Sequence, residues 1–142
     1  MRAVSSVNTV ADLACQQLDC WLNRRHTIIV AVCYLQVFVP VPDITVANQL
    51  VAASLNQRLA ACAQILGKVK SSYWWQERID SSVEWLCIFK TDVNHYPKLE
   101  QVIRRIHPYE LPEIIALPIV AGSKGYLRWL KQELSPRVKR GR

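Results

Sequence analysis

At 142 residues the chain has room for one domain with a proper core and not for two comfortable ones. A hydrophobic share of 51% with only 4 glycines excludes disordered, collagen-like and low-complexity classes. The formal charge of +7 invites a nucleic-acid reading, but residues 135–142 hold +4 of it, residues 1–33 hold +1, and residues 34–134 hold only +2.

The body of the domain is therefore nearly neutral, and nucleic acid is not its expected partner. The basic tail, with Arg137, Lys139, Arg140 and Arg142, reads as a solvated terminus or an electrostatic tether. Three segments are expected: an extension over 1–33, a domain over 34–134 and the basic tail over 135–142.

In chain order, residues 8–25 repeat Val10, Leu13, Ala14, Gln17, Leu18, Trp21 and Leu22 at helical spacing, ahead of Arg24 and Arg25. The apolar run 27–39 is too short to span a bilayer as a helix, which takes roughly 20 residues. Behind Arg24 and Arg25 it resembles the core of an export or anchoring signal, but it lacks a following A-x-A-like site; it reads rather as a strand stopped by Pro40 and Pro42, and no membrane is expected. Asp43 stands as the N-cap of a helix running through Ala47, Leu50 and Leu55 to about Arg58.

Residues 60–76 and 79–91 read as two long strands. In the second, Val83, Trp85, Cys87 and Phe89 share one face, with Leu86 and Ile88 on the other, so both faces should be covered. A helix follows through Leu99, Val102, Ile103 and Ile106, with Pro97 in its first turn and Pro108 ending it at His107. Residues 113–120 suggest a buried strand, and Leu127, Leu130 and Leu134 the stripe of a last helix. The order βαββαβ, then α, is that of an α+β, ferredoxin-like sandwich with an extra C-terminal helix.

The five cysteines (Cys15, Cys20, Cys33, Cys62 and Cys87) form no C-x-x-C pair, and no His-x-x-x-His accompanies them. Structural zinc is thereby disfavoured, and an odd number of thiols fits a reducing, cytoplasmic compartment.

"LAACAQI" (59–65), "SSYWWQ" (71–76), "FKT" (89–91), "HPYELPEIIALPI" (107–119) and "GYLRWL" (125–130), in this order and spacing, resemble the CutA divalent-cation tolerance family. The resemblance covers about Phe38 to Leu134. It implies a homotrimer like that of the PII signalling proteins, an association with tolerance to copper and other divalent metals, and no enzymatic reaction. The family's copper ligands map onto Cys62 and His107, while the third position falls on Val39, which has no ligating atom. Cys33, upstream on the same strand, would lie about 20 Å from that position.

Cys62 and His107 are therefore the candidate metal ligands, for copper or another divalent cation, with Glu110 or Glu113 as a partner for the second ring nitrogen. Their alternative roles are core filling and helix termination. "HPYELPE" can be a proline-stiffened joint or the rim of a ligand cleft. As a rim, Tyr109, Glu110 and Glu113 would meet Lys90 and the aromatic walls of Trp74, Trp75 and Trp129. Lys90 would then bind a small anionic ligand, as in a PII-like sensor. A cysteine hydrolase built on Cys62 and His107 lacks a visible orienting residue.

The resemblance carries two departures besides Val39. Glu77 and Arg78 replace the usual glycine-containing turn, so a wider loop is expected there. Gly67 stands without a preceding proline where strand two should bulge.

Overall fold

The computed structural model describes residues 34–135. The expected helix over 8–25, the start of the apolar run and the basic residues from Arg137 onward lie outside them. Strands β1 (Tyr34–Val41), β2 (Cys62–Trp75), β3 (Arg78–Asp92) and β4 (Ile115–Pro118) alternate with helices α1 (Ile44–Asn56), α2 (Tyr96–Ile106) and α3 (Lys124–Leu134). The sheet order is β2-β3-β1-β4, and each of its three pairings is antiparallel. This is the α+β sandwich that the order of elements implied.

Alternation along β1 decides which face is the core. Leu35, Val37, Val39 and Val41 are at most 2% exposed. They stand in register with Thr91, Phe89, Cys87 and Trp85 of β3. Against this face α1 brings Ala47 and Leu50, and α2 brings Tyr96, Leu99, Val102 and Ile103. α1 starts where Asp43 accepts a hydrogen bond from the Val46 N–H at 2.9 Å, the cap expected from the sequence. α2 ends at His107, whose backbone is already extended (φ −65°, ψ 130°) in front of Pro108. Thr91, the buried polar residue of this face, donates its hydroxyl to the Leu59 carbonyl at 2.6 Å.

The opposite face is covered only in part. α3 buries Leu130 and Leu134, and its Glu133 carboxylate pairs with Arg58 at 3.2 Å. Beyond the body, β2 and β3 continue as a long two-stranded arm on which Trp74, Ile79 and Val83 are 73%, 66% and 58% exposed.

Two expectations fail. The β2–β3 connection is not a wide loop: Trp75 pairs with Arg78, leaving the two-residue turn Gln76-Glu77, at φ 47° and 63°. The turn sits one residue earlier than expected, because thirteen cross-strand pairs fix the register and the two residues adopt the left-handed region that this turn demands. The strand at 113–120 is shorter than expected and not buried: β4 spans four residues, with Ile115 48% and Leu117 49% exposed. It is the edge of the sheet, so an apolar sequence alone did not ensure cover. The bulge does fall at Gly67, where the register shifts between Leu66 and Lys68.

Candidate functional site

The arm and the segment after α2 border a half-open cavity of about 490 Å³. β2 supplies Ser71, Tyr73 and Trp75, β3 supplies Asp80 and Glu84, and Tyr109, Glu110, Leu111 and Glu113 close it from the other side, with Pro40 in the wall. The register explains why these strand residues converge. Tyr73 faces Asp80 and Val69 faces Glu84 across the ladder, and side chains two apart share a face. Four carboxylates and three aromatic rings therefore line one space, and among the described residues no lysine or arginine joins them.

Glu84 is the most enclosed of the acids, at 5% exposure. The Tyr109 phenol is raised above its ordinary pKa by burial first, then by its interaction with the Glu84 carboxylate. A phenol held protonated beside a carboxylate serves as a hydrogen-bond donor.

His107 anchors this rim to the sheet. Its Nε2 is 2.8 Å from the Pro40 carbonyl, and its Nδ1 is 3.1 Å from the Tyr109 N–H. A carbonyl can only accept and an amide N–H can only donate, so the ring is neutral and protonated at Nε2. Both nitrogens are engaged by backbone, and neither Glu110 nor Glu113 fills the partner role expected of it. The ring also meets Tyr109 edge-on, with centroids 4.9 Å apart.

Cys62 belongs to another region. It opens β2 opposite Lys90, whose own neighbour on β1 is Gln36, four residues from Pro40. At ordinary spacings that offset is about 13 Å along the strand and about 10 Å across it. Within one chain, Cys62 and His107 are not brought together. Lys90 donates to the Gln64 side chain at 2.6 Å and lies 3.9 Å from the Cys62 sulfur. Tyr126 hydrogen-bonds to Cys62, and its phenol is pushed up to about 12 by burial and by that thiol. No three His, Cys, Asp or Glu side chains among the described residues converge to hold a metal ion.

Of the cleft residues expected from the sequence, Trp75, Tyr109, Glu110 and Glu113 line the cavity. Trp74 lies one residue from Trp75 and thus on the other face of the arm, Trp129 stacks with Tyr126 at 5.3 Å, and Lys90 stays with Cys62. Sequence reasoning missed Tyr73, Asp80 and Glu84. Their signal was the alternation Ser71-Tyr73-Trp75 set against Asp80-Ser82-Glu84, which becomes legible once the turn is placed at residues 76 and 77.

A family model described as CutA1 divalent ion tolerance protein matches residues 35–133. The divalent-cation tolerance protein CutA of Thermus thermophilus is 40% identical over 96 residues, which is 68% of this chain and 93% of that one. Mouse protein CutA is 38% identical over 95 residues; the match takes in 67% of this chain but only 54% of that relative. Among solved structures, the Thermus thermophilus protein superposes with TM-score 0.69 at 38% identity, covering 70% of this chain and 97% of that one. CutA from Xylella fastidiosa superposes with TM-score 0.70 at 31% identity, covering 72% of this chain and 98% of that one.

Proposed function

Because the chain belongs to the CutA1 divalent ion tolerance family, we propose that it acts by binding cations without turnover, as a homotrimer, and that its cation site is the acidic cavity. One observation carries this reading: Asp80, Glu84, Glu110 and Glu113 line a single cavity with no basic side chain from the described residues in its wall. Such a wall attracts cations and repels anions, which weighs against the small-anion sensor. Oxygen donors suit hard divalent ions, held with part of their water where fewer than three side chains converge.

Copper at Cys62 and His107 is the competing reading. It draws on the soft thiolate donor that copper favours. Against it stands the engagement of both His107 nitrogens, which ligation would have to break. The homotrimer draws support from the exposed apolar residues of the arm and of β4, a surface that a second and third copy would cover.

Calorimetric titration of the chain with manganese and, anaerobically, with copper tests the assignment, with sedimentation giving the mass of the same sample. The expected result is a trimer whose manganese binding weakens about tenfold or more in Glu84→Gln combined with Glu113→Gln and is unchanged in Cys62→Ser. Binding abolished by Cys62→Ser and His107→Ala but indifferent to the two carboxylates would move the site to the thiol. A monomeric mass would remove the assembly.

A further inference from the structure

The cavity's charge is spread out rather than focused. Asp80 and Glu84 enter from β3, and Glu110 and Glu113 from the segment after α2. Among the described residues no three such groups meet at one point. A point-like ion can therefore engage only some of the four. Between the acids stand the rings of Tyr73, Trp75 and Tyr109. Aromatic faces attract ammonium groups and pack against methylene chains, whereas a hydrated metal ion gains little from them.

Glu84 adds an independent pull. It is 5% exposed, and it takes part in none of the ion pairs among the described residues. A carboxylate so enclosed is stabilised by a cation brought to it. Arg78, the nearest cation on this face of the arm, stands opposite Trp75 at the exposed turn and outside the cavity wall.

Resting on the cation reading of this cavity, we propose that it binds an extended organic cation, an alkyl di- or polyamine. The amine's separated ammonium groups would pair with separate carboxylates while its methylenes lie on Trp75 and the two tyrosines. The site would thus answer to amine as well as metal, and the two would compete.

The test is calorimetric titration of the full chain with spermidine at fixed ionic strength, beside manganese, in wild type, Trp75→Leu, Glu84→Gln and Glu113→Gln. Thermal melts of each variant check folding, and the exposed Glu113 provides a carboxylate change that leaves packing intact. Saturable spermidine binding is expected, displaced by manganese, weakened about tenfold by Trp75→Leu, and weakened by both carboxylate changes. Trp75→Leu should weaken spermidine binding more than manganese binding, since the ring offers the metal no donor atom. Spermidine heat that vanishes when sodium chloride matches its ionic strength, or that ignores all three substitutions, overturns the proposal. If manganese then still binds through Glu84 and Glu113, only the amine inference falls; if neither cation binds, the cation reading falls with it.

Discussion

His107 shows how much a single side chain can decide. Its imidazole closes a buried bridge from the Pro40 carbonyl to the Tyr109 amide, and so sets the rim against the sheet. The family resemblance suggested that this histidine is a ligand, but sequence cannot reveal which backbone groups will claim the two nitrogens. His107→Ala should cost about 2–4 kcal/mol in urea unfolding, because it strands the buried Pro40 carbonyl and the part-buried Tyr109 N–H and leaves a void. A cost below about 0.5 kcal/mol would deny the bridge. Cys87 makes the opposite case, as its place in an apolar run already marked it as core. Burial pushes its thiol from 9.0 up to about 11. The folded state thus holds this proton more tightly than the unfolded chain does. The associated stability is complete below about pH 9 and is lost as pH climbs from about 9 towards 11. Unfolding free energy measured across that range should fall with pH, more steeply than in Cys87→Ala; identical slopes would contradict the assignment.

The elements were legible wherever period and punctuation agreed. Asp43 before an apolar stripe and Pro108 after another marked where one helix starts and the next one ends, and Pro40 and Pro42 marked the end of β1. Two elements resisted. The apolar character of β4 suggested burial, yet its position at the sheet edge left it open, because cover depends on topology and not on the segment alone. The arm's turn was misplaced because neither Gln76 nor Glu77 advertises positive φ. Each holds a conformation that is strained for a residue with a side chain, over-determined by the ladder on either side. Replacing Glu77 with glycine should therefore stabilise the fold by about 0.5–1 kcal/mol in chemical denaturation. A destabilisation would show that Glu77 has a role the turn geometry does not require.

At the scale of the whole molecule, charge distribution tells more than net charge. The sequence carries +7, yet the cavity wall between the arm and the segment after α2 is acidic, because residues far apart in sequence meet there through the register of the arm. The part of the site adjacent in sequence, Tyr109 to Glu113, could be read directly. The part contributed by Tyr73, Asp80 and Glu84 required the three-dimensional pairing. The same arm that walls the cavity also carries Trp74 and Ile79 on exposed faces, so the proposed assembly and the proposed cation site would share one structural element. The most direct test of the central claim is to add substoichiometric manganese to isotope-labelled protein and map which amide signals broaden by paramagnetic relaxation. The account predicts broadening centred on residues 80, 84, 110 and 113. Broadening centred instead on Cys62, Lys90 and Tyr126 would contradict it.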